Sequence, residues 1–183
     1  VTDMHLSKKF GKTIQEVEGW FGKPFQVDLK QKGDSGINRG KALGRAVIGF
    51  VEVLDKIKPD ILVTLGDRGE VLSACIAANE LNIPVAHILG GDVAGNRDGT
   101  RIHAITKLSH LHFPSSQDSY DRILKLGEEP WRVFNFGATY IDKVVKGSYT
   151  ANKDVREKYN IAADEEYVIC IQHPMTLQES QSY

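Results

Sequence analysis

Asp67 is placed where a carboxylate could carry out acid and base chemistry. It comes directly after a continuous apolar run, DILVTLG (residues 60–66), which ends in glycine. Such a run is typical of a buried strand, and ligands of parallel α/β sheets bind beyond the carboxyl ends of the strands. The Asp67 side chain could therefore take up or release a substrate proton. The alternative is a helix N-cap, a common position for aspartate, and the spacing alone does not decide between the two.

A second acidic segment, GGDVAGNRDGT (residues 90–100), combines Asp92 and Asp98 with four glycines. Gly90 and Gly91 would let the backbone approach a ligand closely while the carboxylates face it, which favours a ligand-binding loop. Aspartate and glycine also satisfy ordinary turn geometry, so a purely structural turn is the alternative.

Three basic or titratable side chains follow this segment at helical spacing. His103, Lys107 and His110 occupy positions i, i+4 and i+7 of RIHAITKLSHL, which predicts that they share one helix face. A solvated helix face is the ordinary interpretation. Because the sequence contains neither an HExxH motif nor a cysteine pair to complete a set of ligands, we predict no metal site.

The remaining histidines fall into two groups. His87 and His112 lie within apolar segments, and we interpret both as packed, hydrogen-bonded core residues. His173 instead ends the apolar run YVICIQHP (residues 167–174), just before Pro174. If that run is a strand, His173 lies at its carboxyl end, where it could bind a phosphate or sugar hydroxyl or simply pack in a turn.

Alternating helices and strands are predicted to position these residues. Apolar residues at helical spacing indicate a helix over residues 38–58, which Pro59 ends. A strand over residues 60–66, a helix over 69–82 and a strand over 83–89 follow. This βαβ order predicts an α/β fold with a parallel sheet, in which strand 60–66 is covered by helices on both faces.

The same alternation continues downstream. We predict, in order, a helix from Arg101, a strand over residues 111–116, a helix over 116–127, a strand over 131–137 and a helix over 139–147. The polar stretch 148–166 then precedes another buried strand over 167–174. This pattern predicts a first domain over residues 1–147 and the beginning of a second over 148–183.

Composition excludes several classes of protein. The 183 residues include 23 basic and 24 acidic side chains, a formal charge of -1, so no long-range field would attract nucleic acid or an anionic membrane. The apolar runs are shorter than the roughly 20 residues that span a bilayer. Cys75 and Cys170 lie far apart in apolar segments, which fits reduced, buried thiols in a cytoplasmic protein. Nucleotide-binding and hydrolase motifs such as GxGxxG, GxxxxGKS/T and GxSxG do not occur.

Six sequence blocks, taken in order, carry a family resemblance: HLSKKFGKT (5–13), KPDILVTLGDR (58–68), IPVAHILGGDVAG (83–95), HAITKLSHLHF (103–113), RVFNFGATYID (132–142) and QHP (172–174). Together they resemble the UDP-N-acetylglucosamine 2-epimerases, most strongly the hydrolysing branch that makes N-acetylmannosamine for sialic-acid-type sugars. Their shared order and spacing make an accidental similarity improbable.

The resemblance implies a fold, a reaction and partners. The family has two Rossmann-like domains facing each other across a cleft in a GT-B-like architecture, and this chain would lack the first βα unit and most of the second domain. Such enzymes remove the C2 proton and UDP from a UDP-sugar to form a glycal, then add water at C1. The resemblance implies a UDP-sugar substrate, no cofactor and a homodimer.

Site residues follow from the matching positions. The resemblance implies that Asp67, Asp92 and Asp98 are catalytic. It implies that the remaining matching residues bind substrate: His5, His103, Gly90, Gly91 and His173.

The sequence departs from the family pattern at several positions. Leu89 stands where the pattern has Glu or His, and Arg101 and Ile102 stand where Ile followed by Arg is expected. Asp3 replaces a glycine. Three alternatives therefore stay open: a non-hydrolysing epimerase, a relative acting on a diacetamido sugar, and an inactive nucleotide-sugar-binding fragment.

Overall fold

The computed structural model describes residues 1–94 and 97–171. The chain divides into two units, with the division between Phe136 and Gly137. The sequence predicted a boundary near residue 148 instead, and the assignment of residues 1–147 and 148–183 to separate domains stays a prediction.

Most of the regular structure lies in the first unit. Its helices are α1 (Asp3–Leu6), α2 (Ile14–Phe21), α3 (Gly36–Ile57), α4 (Gly69–Glu80), α5 (Arg97–Leu108) and α6 (Gln117–Lys125). Its strands are β1 (Leu62–Leu65), β2 (Val85–Ile88) and β3 (Leu111–Phe113), and its 3₁₀ turns span Lys8–Phe10 and Pro130–Arg132. The second unit contains α7 (Ile141–Val145) and α8 (Asn152–Tyr159). Within the described ranges, no helix combines the length and the apolar character needed to cross a bilayer.

The three strands form one parallel sheet in the order β1-β2-β3. Thr64 pairs with His87, and His87 pairs with His112, so these side chains lie on the same face. The arrangement confirms the predicted α/β class with a parallel sheet. The strand predicted over residues 131–137 is wrong: the segment begins in a 3₁₀ turn and extends the sheet only through a single bridge between Val133 and His112.

The helix before the sheet shows how local sequence sets its limits. The Ser35 side chain accepts a hydrogen bond from the Asn38 backbone N–H at 3.3 Å, which caps α3. Lys58 ends α3 in the left-handed conformation, and Pro59 prevents continuation. The helix spans 36–57, where 38–58 was predicted.

The larger hydrophobic cluster packs on the face of the sheet that includes Val85. It combines residues of α3, α4, β2 and α5 with Ile83 from the turn before β2: Leu54, Cys75, Ala77, Ala78, Ile83, Val85 and Ile105. Right-handed crossovers running in one direction are expected to place α4 and α5 on the same side of the sheet, where this cluster forms.

The prediction that β1 is covered on both faces is therefore wrong. Val63 and Leu65, which point away from this core, are 59% and 55% exposed. Their partners across the sheet are Ala86 and Ile88. A continuous apolar run shows that a strand is suited to burial on both faces, but it does not show which helices supply the cover.

The described part of the last predicted strand is also not a strand. Residues 167–171 are irregular and exposed, with Val168 at 94% and Ile171 at 74% exposure. Cys170 is exposed with them, so only Cys75 is a buried thiol as predicted. A strand needs neighbours for its backbone hydrogen bonds, and the described residues of the second unit provide none.

Candidate functional site

The end of β1 presents Asp67 at the carboxyl edge of the sheet. Gly66 turns the chain with φ +81°, a conformation that glycine adopts readily, while its N–H donates to the Ile88 carbonyl at 3.0 Å. Arg68, not Asp67, is the N-cap of α4, so the capping alternative does not apply. No hydrogen bond or ion pair within the described residues involves the half-buried Asp67 carboxylate.

Asp92 lies on the neighbouring turn and is held by α6. Its Oδ1 accepts hydrogen bonds from the Ser119 hydroxyl and, at 3.4 Å, from the Ser115 hydroxyl. The Arg122 guanidinium donates to the Gly91 carbonyl at 2.5 Å, which fixes the preceding residue of the same turn. A carboxylate at a helix N-terminus is also favoured by the helix dipole. Asp92 thus fastens its own turn to α6.

Asp98 is helical, whereas the sequence predicted a loop over residues 90–100. The helix α5 begins at Arg97, so Asp98 occupies its first turn and pairs with Arg101 one turn later at 3.0 Å. This pair and the helix dipole stabilise helix where glycine and aspartate suggested a turn. The Arg101 guanidinium lies beside Gly69, 3.6 Å from where a Cβ would stand. Asp98 therefore lies near the start of α4.

His87 lies between the turns of Asp67 and Asp92. It is fully buried, and its Nε2 lies 2.8 Å from the Gly66 carbonyl oxygen, which confirms a packed, hydrogen-bonded histidine. Burial lowers the pKa of His87, while the Gly66 hydrogen bond and the charges of Asp67 and Asp92 oppose that shift. Both carboxylates therefore lie within electrostatic range of one ring.

The three predicted aspartates all follow the carboxyl ends of strands β1 and β2. Asp67 and Asp92 follow adjacent parallel strands, and Asp98 reaches the start of α4 through its ion pair. We expect carboxylates so placed to exchange protons with one bound ligand. Their catalytic roles stay predictions.

The predicted substrate-binding residues have varied surroundings. His5 is exposed in α1, and its Nδ1 lies 2.9 Å from the Thr13 hydroxyl. Met4 beside it contacts the Arg68 guanidinium, which places α1 next to the Asp67 turn. His103 is half-buried on α5, and its Nδ1 has no hydrogen-bond partner among the described residues.

The other members of that set are glycines and one residue outside the described ranges. Gly90 and Gly91 are buried, and Gly91 has φ +83°. A side chain on either would collide with its neighbours. His173 lies outside the described residues.

The predicted shared helix face holds for His103 and Lys107, which lie four residues apart on α5, but it is wrong for His110. The helix α5 ends at Leu108, and the His110 Nδ1 accepts a hydrogen bond from the Val85 backbone N–H at 3.2 Å. Among the described residues, no group of three potential ligands is arranged to hold a metal ion.

A buried ion cluster surrounds Glu128, and it was not predicted from the sequence. Its side chain is 3% exposed and lies 2.5 Å from the Lys107 ammonium, 2.7 Å from the Arg132 guanidinium and 3.4 Å from the His112 ring. Two features of the sequence pointed to this cluster: His112 lies within an apolar strand, and Arg132 follows Glu128 by four residues. Because Glu128 and Glu129 are adjacent in the sequence, the pattern could not show which is buried.

Burial, together with the cations around Glu128, sets the charge state of this cluster. It lowers the pKa of His112 to about 4, with Arg132 acting in the same direction and Glu128 against it. Burial alone would raise the pKa of Glu128, but the Lys107 hydrogen bond and the neighbouring cationic groups lower it overall. At neutral pH the cluster therefore contains an ionised Glu128 and a neutral His112.

A family model described as UDP-N-acetylglucosamine 2-epimerase matches residues 1–183, the whole chain. The chain belongs to the UDP-N-acetylglucosamine 2-epimerase family. The sequence resemblance is thereby confirmed at the level of the family.

Relatives within the 2-epimerase family differ in the substrates that they are named for. The chain is 38% identical over 179 residues to a UDP-N,N'-diacetylbacillosamine 2-epimerase (hydrolyzing) of Legionella pneumophila, and the match covers 96% of this chain and 47% of the relative. A GDP/UDP-N,N'-diacetylbacillosamine 2-epimerase (hydrolyzing) of Campylobacter jejuni is 34% identical, with 96% and 46% covered. A UDP-N-acetylglucosamine 2-epimerase of Neisseria meningitidis is 29% identical, with 96% and 46% covered. The chain thus spans about half the length of these relatives.

Solved 2-epimerase structures share the fold. The crystal structure of the Methanocaldococcus jannaschii UDP-GlcNAc 2-epimerase in complex with UDP-GlcNAc and UDP superposes with a TM-score of 0.70 at 24% identity, covering 86% of this chain and 44% of that one. These neighbours have a GT-B-like fold. The predicted class, a Rossmann-like sheet belonging to such an architecture, is confirmed.

The departures from the family pattern have distinct structural outcomes. Leu89 adopts a left-handed conformation with φ +62° directly after β2, and its N–H donates to the Phe113 carbonyl at 2.9 Å. Ile102 is buried, while Arg101 pairs with Asp98. The exchanged order of these two residues therefore places an apolar side chain in the core and keeps the guanidinium beside an acid of the candidate site.

Proposed function

We propose that the protein containing this chain is a hydrolysing 2-epimerase of UDP-linked 2-acetamido sugars. The single observation that carries the proposal is that Asp67, Asp92 and Asp98 lie at one sheet edge in a chain that matches the epimerase family over its whole length. The hydrolysing outcome is supported by the relatives with 38% and 34% identity, which are both named as hydrolysing enzymes.

The proposed reaction has two stages. In the first, a carboxylate removes the proton at C2 while the C1–O bond to UDP breaks, and the electron pair of the C2–H bond forms a C1–C2 double bond. In the second, the oxygen of a water molecule adds to C1, and a proton returns to C2 from the opposite face of the ring. The products are UDP and a free sugar inverted at C2.

Different surroundings suit the aspartates to different parts of this reaction. Asp67 is the first candidate for proton transfer, because no structural contact within the described residues engages its carboxylate. Asp98 is ion-paired with Arg101, and Asp92 is hydrogen-bonded to Ser119, so both have fixed orientations. We propose that these two serve as the further acids that proton transfer on both faces requires.

The substrate is the finer part of the proposal. The sequence predicted UDP-N-acetylglucosamine, which would yield N-acetylmannosamine. UDP-N,N'-diacetylbacillosamine is the second candidate, and it is favoured by the higher identity to the relatives named for that sugar, 38% and 34% against 29%.

Incubation of the full-length protein with each UDP-sugar tests the proposal. We expect NMR to show UDP and a free sugar inverted at C2 with one of the two substrates. A UDP-linked epimer would instead establish the non-hydrolysing reaction, and UDP binding without turnover of either sugar would support the binding-fragment alternative. Light scattering on the same sample tests the homodimer that we include in the proposal.

A further inference from the structure

The Gly66 peptide before Asp67 is held by two consecutive residues of β2. The Gly66 N–H donates to the Ile88 carbonyl at 3.0 Å, and the Gly66 carbonyl lies 2.8 Å from the His87 Nε2. A carbonyl oxygen only accepts hydrogen bonds, so Nε2 carries the ring proton and donates it. Both polar groups of the residue that sets the direction of Asp67 are thus fixed from the neighbouring strand.

The other side of the same ring faces the turn that leads to Asp92. A Cβ added to Gly90 would stand 2.7 Å from the His87 Nδ1, so the absence of a side chain at Gly90 is what allows the ring to fit. The His87 Nδ1 is buried and has no hydrogen-bond partner among the residues that the structure describes. The ring therefore fills the space between the two acid-bearing turns and donates to only one of them.

This geometry differs from that of an ordinary buried histidine. His112, the partner of His87 in the sheet register, is also fully buried, but its ring faces Glu128 and not the carboxyl edge. Two adjacent histidines of similar burial thus have different surroundings, and only His87 contacts the backbone before a candidate catalytic acid.

We infer that His87 is a positioning residue for the 2-epimerase reaction. Its hydrogen bond to the Gly66 carbonyl sets the orientation of Asp67, and the packing of its ring sets the distance of Asp67 from Gly90. The inference rests on the proposed function. A displacement of about 1 Å at a reacting group can lower a rate by about a hundredfold, so loss of this support has a measurable effect on turnover.

Three variants of the full-length protein separate positioning from simple packing. His87→Leu fills the site with an apolar side chain and removes the donor, and His87→Gln restores an N–H near the position of Nε2. His112→Leu is the matched control, because it alters the adjacent buried histidine. We expect His87→Leu to lower kcat by about tenfold or more with little change in KM, His87→Gln to recover most of the loss, and His112→Leu to stay within about threefold of the parent.

Amide hydrogen exchange gives a readout that does not need activity. We expect His87→Leu, but not His112→Leu, to speed exchange over residues 66–69. Should His87→Leu fail to fold, His87→Asn supplies the comparison, because its shorter amide cannot reach the Gly66 carbonyl. If the parent shows no epimerase activity, the proposed function fails, while exchange still tests His87. The inference is overturned if folded His87→Leu or His87→Asn keeps the kcat of the parent. It is also overturned if amide hydrogen exchange over residues 66–69 is unchanged in that variant.

Discussion

Two acidic side chains in the first unit have contrasting surroundings. At the carboxyl edge of the sheet, Asp67 has no hydrogen bond or ion pair within the described residues, and its direction is set by the backbone of Gly66. Glu128 is 3% exposed in its side chain and is held by Lys107 and Arg132. The Asp67 carboxylate is thus positioned by hydrogen bonds of the preceding backbone, whereas the Glu128 carboxylate is positioned by ion pairs to its own oxygens.

The two surroundings predict that substitutions of Asp67 and of Glu128 affect different properties, turnover in one case and stability in the other. A carboxylate whose oxygens all serve structural contacts is poorly placed to exchange protons with a ligand, whereas one oriented by its backbone keeps its oxygens for that purpose. We therefore expect changes at Asp67 to alter turnover with little effect on stability, and changes at Glu128 to do the reverse.

The largest expected effect is on turnover. Asp67→Asn keeps the size of the side chain but removes its ability to take up a proton, so we expect kcat of the full-length protein in the proposed reaction to fall by about a hundredfold or more. The midpoint of thermal unfolding should stay close to that of the parent. Asp60→Asn is the matched control, because Asp60 is exposed on the amino side of β1. Parental turnover by Asp67→Asn would show that the catalytic assignment is wrong.

The next effect is on stability. Glu128→Gln leaves Lys107 and Arg132 without their shared carboxylate, and we expect the free energy of unfolding to fall by about 3 kcal/mol. Glu129→Gln is the matched control, because the Glu129 side chain is 63% exposed and lies 3.6 Å from Arg132. Chemical denaturation measures both variants. Equal stabilities for the two would mean that the buried cluster does not stabilise the fold.

A smaller effect should appear on acidification. Because the folded-state pKa of His112 is about 4 and its ordinary value is 6.5, the unfolded chain binds a proton more readily as the pH falls below 6.5. The stabilisation that comes from keeping His112 neutral in the fold is thus fully present above pH 6.5. We expect the free energy of unfolding to fall by about 2 kcal/mol by pH 5. His112→Gln should show a correspondingly weaker loss between pH 8 and pH 5 in denaturation experiments. Parallel pH profiles for the variant and the parent would contradict this charge assignment.

The smallest effect is expected at Leu89. A left-handed conformation costs a leucine about 1 kcal/mol and asparagine less, so relief of strain in Leu89→Asn should offset much of the cost of replacing a half-buried apolar side chain. We expect a net change in unfolding free energy within about 1 kcal/mol. Leu62→Asn, at a half-buried leucine that packs against the core, should cost more than about 2 kcal/mol. Equal losses at the two positions would show that conformational strain at Leu89 is unimportant.

Local patterns predicted the elements around the site well. Pro59 indicated the end of α3, and the apolar runs located β1 and β2. Asp67, two residues after β1, was correctly expected at the carboxyl edge of the sheet. These features depend on backbone chemistry and strand direction, which the sequence carries locally.

Features that depend on distant partners were not predictable in the same way. Exposure of Val63 follows from which face the helices cover, and selection of Glu128 over Glu129 for burial follows from the positions of Lys107 and Arg132. The helical start of α5 was missed for a local reason: the glycines and aspartates of residues 90–100 are typical of turns, yet Asp98 lies in the first turn of α5 and pairs with Arg101.

Turnover of the UDP-sugar in deuterium oxide tests most directly whether acids at this sheet edge exchange the C2 proton. For the full-length protein, we expect a free sugar inverted at C2 that carries one solvent deuterium at that carbon, together with UDP. Asp67→Asn should sharply slow formation of the labelled product. An inverted product that retains its original C2 hydrogen would contradict the proposal that these carboxylates remove and replace that proton.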